Sequence, residues 1–232
     1  MLQNHIEAVR KEYEASEKTV KREATIYSVI VEKYAMGGKS DGMLDFFNQL
    51  FISLNNNLSE PEKKLASSMI SNVLSNVSKD YLNFIGELAS LNYYKTQLHY
   101  QLLNVEEKIV MNSNVSADFL FKTPNNTDVL IEILNIHLED MELTDMGKVK
   151  YHIDSKINNK IKAKILTNDR EIFIQPVLWL RDQKSYELAN ELYLKNPLTN
   201  LNAKEPLVYC TLKDTSGQFE HRFESIYTIM RP

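Results

Sequence analysis

The stretch SADFLFKTPNNTDVLIEILNIHL, residues 116–138, decides the fold that we predict. Two apolar runs flank a Pro-Asn-Asn turn, a pattern typical of two strands joined in a hairpin. Each run carries one acid, Asp118 in the first and Glu132 in the second. Carboxylates set among Phe, Leu, Ile and Val allow two interpretations. Either they face a metal ion, or they lie on the solvent face of an ordinary hairpin.

Periodic patterns continue on the C-terminal side of this hairpin and on its N-terminal flank. Hydrophobic residues spaced four apart predict a helix, and short apolar runs between turn residues predict strands. The strands are predicted at about 106–111, 117–122, 128–138, 171–180, 206–213 and 219–229. The helices are predicted at 148–166 and 183–195. A strand, a helix and a further buried strand in this order predict a mixed sheet covered by helices.

The N-terminal third of the chain has the pattern of helices. Apolar residues recur at alternating steps of four and three over residues 2–34, which predicts a long helix that pairs with itself or with a partner helix. Gly37 and Gly38 predict its end. Further helices are predicted from Asp41 to about Leu54, from the capping box of Ser59 and Glu62 to about Val77, and from Lys79 to Leu103. The sequence therefore predicts an α/β fold, with a helical region at 1–78 and a mixed-sheet domain at 79–232.

The composition narrows the class of protein. Hydrophobic residues make up 43% and charged residues 25% of the 232, as in ordinary globular proteins. No apolar run approaches the length of a membrane span, and the acidic N-terminal residues lack a signal-peptide core. We therefore expect a cytoplasmic protein without membrane contact. The single cysteine, Cys210, excludes an intrachain disulfide and a cysteine-rich zinc site.

Charge is unevenly distributed around the second half of the hairpin. Residues 132–145 contain five acids and no Lys or Arg, whereas residues 148–164 contain six Lys and one Asp. An acidic block followed by a basic block is compatible with a site for a metal ion and a phosphate. It is equally typical of a solvated loop that leads into a soluble helix.

Four segments, taken in order, resemble the PD-(D/E)XK superfamily, the restriction-endonuclease-like nucleases. They are FIGELASLNYYK (84–95), ADFLF (117–121), VLIEILNI (129–136) and SKINNKIKAKI (155–165). The resemblance covers about residues 80–182. It depends mainly on the order of the elements: a helix with a Glu, a strand with an Asp, a strand with a Glu, a helix and a buried strand.

The resemblance implies a catalytic site that hydrolyses phosphodiester bonds with Mg²⁺ or Mn²⁺. Asp118 and Glu132 would be metal ligands and catalytic residues, and Glu87 an accessory catalytic acid. The third-strand motif of the family is Glu-any-Lys, whereas this sequence has Leu134 at the Lys position. Because members of the superfamily can carry that Lys on the following helix, Lys156 and Lys160 are the candidates for it here.

Nucleic acid is the partner that this resemblance implies, DNA in preference to RNA. The remaining lysines of the basic block would contact its phosphates: Lys148, Lys150, Lys162 and Lys164. Leu134 leaves a second hypothesis open, a nuclease-like fold without catalysis that binds nucleic acid or protein through its helical N-terminus. In a third hypothesis the fold is unrelated and the acids lie on its surface.

Overall fold

The computed structural model describes residues 43–75, 81–109, 115–138, 146–165, 172–197, 200–213 and 219–228. The chain divides into two compact units, Met1–Asn92 and Tyr93–Pro232. The boundary that the sequence predicts at residue 78, the long helix predicted at 2–34 and its glycine stop all lie outside the described residues. Helix pairing or dimer formation through residues 2–34 stays a prediction.

The described part of the first unit is helical. It contains α1 (Met43–Asn57), α2 (Glu60–Ser75) and most of α3 (Tyr81–Thr96). The predicted capping box before α2 is confirmed, since Glu62 Oε2 accepts hydrogen bonds of 2.8 Å from both the backbone N–H and the hydroxyl of Ser59. Within this unit, the Ser53 hydroxyl of α1 donates to Asn92 Oδ1 of α3 at 2.7 Å.

The second unit is built on a six-stranded mixed sheet in which neighbours in the chain are neighbours in space. The strands are β1 (Gln101–Lys108), β2 (Ser116–Lys122), β3 (Asp128–His137), β4 (Ile172–Trp179), β5 (Leu207–Lys213) and β6 (Phe219–Ser225). The strand pairs β1–β2, β2–β3 and β5–β6 are antiparallel, while β3–β4 and β4–β5 are parallel. Each parallel pair is joined through a helix, as parallel pairing requires.

Those two helices cover one face of the sheet. They are α4 (Met146–Ile165), between β3 and β4, and α5 (Gln183–Lys195), between β4 and β5. Residues spaced four apart on α4, Val149, Ile153 and Ile157, join residues of α5 and of the sheet in one buried apolar cluster. Cys210 is a buried member of that cluster, as a small core residue should be. The shared cluster shows that α4 and α5 lie on the same face.

The opposite face of the sheet carries an aromatic cluster. Tyr94, in the last turn of α3, stacks on Phe121 of β2 with ring centroids 5.1 Å apart. Its hydroxyl donates to the buried side chain of Gln175 on β4 at 2.8 Å. Helical residues therefore flank both faces, and the predicted α/β fold with an N-terminal helical region is confirmed.

The end of α3 corrects one prediction. The sequence predicted a helix as far as Leu103 and a first strand from 106, whereas α3 ends at Thr96 and β1 begins at Gln101. His99 has a positive φ of 56°, and Tyr100 N–H donates to Tyr94 O at 3.0 Å, which closes the helix. Leu98 and Leu102 are spaced four apart and so continue the helical pattern, although Leu102 is buried in the sheet. Local spacing alone could not separate the two structures.

The other predicted elements lie close to their observed positions. The helix predicted at 183–195 has those bounds, and β2 and β3 differ from prediction by one residue at one end. None of the helices in the described ranges is both long and apolar enough to cross a bilayer.

Candidate functional site

The two hairpin acids lie side by side on neighbouring strands. Phe119 of β2 pairs with Ile131 of β3, and the next position along this register places Asp118 opposite Glu132. Residues opposite each other in an antiparallel pair project from the same face of a sheet. Lys160 and Lys164 of α4 contact Glu132, so this is the face that α4 covers.

Two ammonium groups converge on one oxygen of Glu132. Lys160 Nζ lies 2.6 Å from Glu132 Oε1, and Lys164 Nζ lies 3.2 Å from the same atom. The two lysines are four residues apart, so they occupy one side of α4 on successive turns. The Glu132 side chain is only 3% exposed, whereas those of Lys160 and Lys164 are 32% and 17% exposed. The acid is therefore buried, and its cations reach it from the rim.

The second oxygen of Glu132 is not satisfied. Oε2 is buried and has no hydrogen-bond partner among the described residues. A buried carboxylate oxygen without a partner is expensive, and such groups are rare in folded proteins. The burial of Glu132 argues against the interpretation in which it is a solvated strand residue. A positively charged or hydrogen-bonding partner would satisfy this oxygen.

Asp118 is held by the backbone of the neighbouring strand. Its Oδ2 accepts a hydrogen bond of 2.6 Å from Ile133 N–H. Burial raises the pKa of Asp118 to about 7, and the negative charge of Glu132 adds to the rise. The Ile133 N–H opposes this rise in pKa, and so do the charges of Lys160 and Lys164. The pair of acids thus shares a site in which two negative charges repel each other.

The backbones of β2 and β3 part at this site. Their pairing runs from Lys122–Asp128 to Phe119–Ile131 and goes no further toward the start of β2. Beyond it, side chains replace the backbone ladder. Ile133 N–H donates to the Asp118 carboxylate, and Lys164 Nζ donates to Ser116 O. The two acids lie where the strands separate.

The position on β3 at which the family motif has Lys is occupied here by Leu134, a residue of the core. Leu134 is partly buried and packs against the apolar cluster under α4 and α5. It lies two residues after Glu132 and hence on the same face of β3. A lysine at position 134 would bury its ammonium group among apolar side chains. Lys160 and Lys164 instead reach Glu132 from the C-terminal end of α4.

The other predicted lysines lie elsewhere on α4. Lys156, Lys148 and Lys162 are exposed, and Lys150 forms an ion pair of 2.6 Å with Asp154. The structure therefore brings Lys160, and not Lys156, to the two acids. Contacts of Lys148, Lys150, Lys162 and Lys164 with nucleic acid stay predictions.

Glu87 belongs to the other unit. It is half-buried on α3, within Met1–Asn92, whereas the remaining predicted site residues lie within Tyr93–Pro232. Its role as an accessory acid stays a prediction. Within the described ranges, no three His, Cys, Asp or Glu side chains gather closely enough to hold a metal ion together.

For Lys164 the sequence predicts phosphate binding alone, whereas the structure also places it in contact with Glu132. The spacing of four residues from Lys160 could have indicated it, because that spacing returns a helix to the same side after one turn. The contact with Ser116 O could not have been derived in this way, since it depends on where β2 separates from β3.

Comparisons with known proteins show little similarity. No protein-family model matches the sequence, and no curated protein matches it. Among solved structures, SfsA of Pyrococcus furiosus in complex with Ca²⁺ is similar at a TM-score of 0.28 and 13% identity. The match covers 62% of this chain and 62% of that chain, which is less than two thirds of each. A similarity at this level does not establish a shared fold.

Proposed function

We propose that the protein is a divergent PD-(D/E)XK nuclease, which hydrolyses phosphodiester bonds with a divalent metal ion. The observation that carries the proposal is the pair of adjacent carboxylates, Asp118 and Glu132, with Lys160 2.6 Å from Glu132. The order of the elements that carry these groups also supports it. A helix, three antiparallel strands, a helix and a parallel strand follow each other from α3 to β4, as the resemblance implies.

The donor set fits Mg²⁺ or Mn²⁺. Mg²⁺ is usually bound by one or two carboxylates together with water and substrate phosphates, so a third protein ligand is not required. Glu132 Oε2 is a buried oxygen without a partner, and a cation would satisfy it. Asp118 would supply the second carboxylate. A metal ion in this place would polarise the phosphate and lower the pKa of the attacking water.

Lys160 supplies the ammonium group that the strand motif lacks. It is paired with Glu132 and is also about one-third exposed, so it can contact both the acid and a bound phosphate. A positive charge at this point would stabilise the negative charge that develops on the phosphate oxygens. The exposed lysines of the same helix, Lys148, Lys156 and Lys162, would attract the nucleic acid.

The test is a cleavage assay on supercoiled plasmid, on duplex and single-stranded DNA and on RNA, with Mg²⁺ or Mn²⁺. The assay compares the wild type with Asp118→Asn and Glu132→Gln. We expect each variant to lose more than the roughly 10–100-fold that follows from loss of a group merely supporting a metal ligand.

The matched control is Asp128→Asn. Asp128 is an exposed acid on the same strand as Glu132, and it lies 3.9 Å from Lys122 at the surface. It should retain wild-type cleavage. If the wild type shows no metal-dependent cleavage above the level of Asp118→Asn, the nuclease proposal is wrong.

A second candidate function is binding of nucleic acid or protein without catalysis. Two observations favour it: the ammonium groups of Lys160 and Lys164 already balance charge at the two acids, and Leu134 replaces the strand lysine. Nucleic-acid binding without cleavage, with affinity that falls steeply as salt rises, would support this function. Fluorescence anisotropy with labelled oligonucleotides measures it.

A further inference from the structure

Lys164 contacts both of the strands that carry the two acids. Its Nζ lies 3.2 Å from Glu132 Oε1 on β3 and donates a hydrogen bond to Ser116 O at the start of β2. Ser116 is two residues before Asp118, so this contact lies next to the second acid. One ammonium group therefore joins α4, β2 and β3.

This contact occurs where the backbone no longer joins the strands. The pairing of β2 with β3 stops at Phe119–Ile131, before Asp118 and Ser116 are reached. Among the described residues, side-chain contacts connect the strands beyond that point: Lys164 with Ser116 and Glu132, and Asp118 Oδ2 with Ile133 N–H. The spacing of the two carboxylates depends on these side-chain contacts.

We propose that Lys164 is the positioning residue of this site. It fixes the start of β2 against Glu132, and thereby keeps Asp118 and Glu132 at the spacing that one cation requires. That this spacing serves a bound cation rests on the proposed function, whereas the contacts of Lys164 with Ser116 and Glu132 do not. Lys164 acts through Glu132 and Ser116 and does not contact the substrate.

Lys160 provides the contrast. It contacts the same oxygen of Glu132 but lies one turn earlier, and its side chain is about twice as exposed as that of Lys164. Ser116 O accepts its hydrogen bond from Lys164. Removing either lysine takes one positive charge from Glu132 Oε1. Because Lys164 has the longer contact with Glu132, a larger effect on removing Lys164 than on removing Lys160 reports the Ser116 contact.

The experiment is amide hydrogen exchange on the full chain for the wild type, Lys164→Met, Lys160→Met and Lys164→Arg. The measured quantity is the exchange rate of the Ile133 amide, which donates to Asp118, divided by that of the Leu180 amide. Leu180 N–H donates to Tyr209 O at 2.9 Å in another part of the same sheet. Destabilisation of the whole fold raises both rates together where both amides exchange through global unfolding, whereas a local opening at the two acids raises the rate of Ile133 alone.

We expect Lys164→Met to raise the ratio by about tenfold to a hundredfold, the effect of losing a hydrogen bond to a charged group. Lys160→Met should leave the ratio within about threefold of the wild type, and Lys164→Arg should preserve most of the protection. Equal ratios in Lys164→Met and Lys160→Met would overturn the proposal. If Lys164→Met does not fold, Lys164→Gln replaces it, and its exchange ratio is compared with those of Lys160→Met and Lys164→Arg.

Calorimetric titration with Mn²⁺ separates this inference from the proposed function. If the wild type neither binds Mn²⁺ nor cleaves nucleic acid, the nuclease proposal fails, while the exchange ratio still decides the role of Lys164. If the wild type binds Mn²⁺ and cleaves nucleic acid, and the ratio does not change in Lys164→Met, the positioning role fails and the nuclease proposal stands.

Discussion

Two parts of α4, residues 146–157 and residues 158–165, lie on the same sheet and differ in the contacts of their side chains. The first part, the apolar half, contributes Val149, Ile153 and Ile157 to the apolar cluster shared with α5. The second part, the polar half, places Lys160 and Lys164 on the carboxylate of Glu132. The first arrangement is typical of a helix that stabilises a fold, since removing apolar area from water is favourable. The second requires charges to leave water, which costs more than it gains unless the geometry is good.

This difference separates a part of the helix that stabilises the fold from a part whose contacts support the proposed function. The apolar stripe itself continues past Ile157, since Ile161 packs against the same cluster. Beside that stripe, a buried acid with one unpaired oxygen lies beneath the last turns of α4. An unsatisfied buried polar group in a folded protein calls for an explanation, and a catalytic role or a bound ion is one such explanation. Three substitutions in and beneath α4 test this difference, and one at the cap of α5 gives a scale for them.

The largest effect should come from Lys160. If the nuclease proposal holds, Lys160→Met should lower the rate of phosphodiester cleavage by about 10²–10⁴-fold, the usual loss when a group that acts in the transition state is removed. Single-turnover cleavage of a labelled duplex measures this rate. Lys156→Met is the matched variant, since Lys156 is the exposed alternative on the same helix. A larger loss in Lys156→Met would reverse the assignment.

A change in the apolar half should affect stability alone. Ile153 is fully buried, and Ile153→Ala should lower the free energy of unfolding by about 2–5 kcal/mol, through lost burial and the cavity left behind. Urea denaturation measures the loss. The folded fraction of this variant should bind Mn²⁺ as the wild type does. A weakened metal affinity in fully folded protein would show that the two halves are coupled.

Replacing the charges should have the opposite effect on stability. In the triple variant Glu132→Leu, Lys160→Met, Lys164→Met, a buried ion pair becomes apolar. Such replacements are often neutral or stabilise by about 1–4 kcal/mol. We expect unfolding to require at least as much urea as in the wild type, while Mn²⁺ binding is lost. A marked loss of stability would mean that the polar half also holds the fold together.

The smallest effect should come from the N-terminal cap of α5, and it gives a scale for the effects in the other three predictions. Asp182 caps α5, and its Oδ1 accepts from Ser185 N–H at 2.9 Å. Asp182→Ala should lower the free energy of unfolding by about 1 kcal/mol, with no change in Mn²⁺ affinity.

Asp182→Asn is the control for that cap, because Asn caps helices about as well as Asp. The hydrogen bonds from the backbone and side chain of Ser185 lower the pKa of Asp182. For a lowered pKa, the unfolded chain binds the proton first as pH falls. The stabilisation is therefore present above the unfolded value and is lost as pH falls through the folded value. Urea midpoints below pH 4 should fall for the wild type more than for Asp182→Asn.

The sequence predicted elements well where periodicity and turn residues agreed. The hairpin of β2 and β3 has a Pro-Asn-Asn turn and continuous apolar runs, and α4 has apolar residues at steps of four. Prediction failed at the end of α3, where Leu98 and Leu102 keep a helical spacing across a turn that contains no glycine. His99 is exposed and adopts a left-handed conformation that is uncommon for a residue other than glycine, and the pattern of residues does not encode it.

Of the residues in the candidate site, only the two acids and one lysine could be predicted from the sequence. Asp118 and Glu132 were found because acids are unusual in apolar strands, and Lys160 because it borders an apolar stripe. The choice between Lys160 and Lys156 depends on the angle at which α4 crosses β3. The contact of Lys164 with Ser116 O depends on the separation of two strands. Neither property is a function of residue spacing.

The order of charges along the chain has a consequence for how this protein folds. During synthesis the aspartate and the glutamate leave the ribosome first, and the two lysines of α4 follow them. Until those lysines arrive, the carboxylates keep their hydration shells, because dehydrating an unpaired anion is prohibitive. The face of the hairpin that α4 covers therefore stays hydrated until that helix docks. Helix docking and expulsion of water from this corner of the sheet should form one kinetic step.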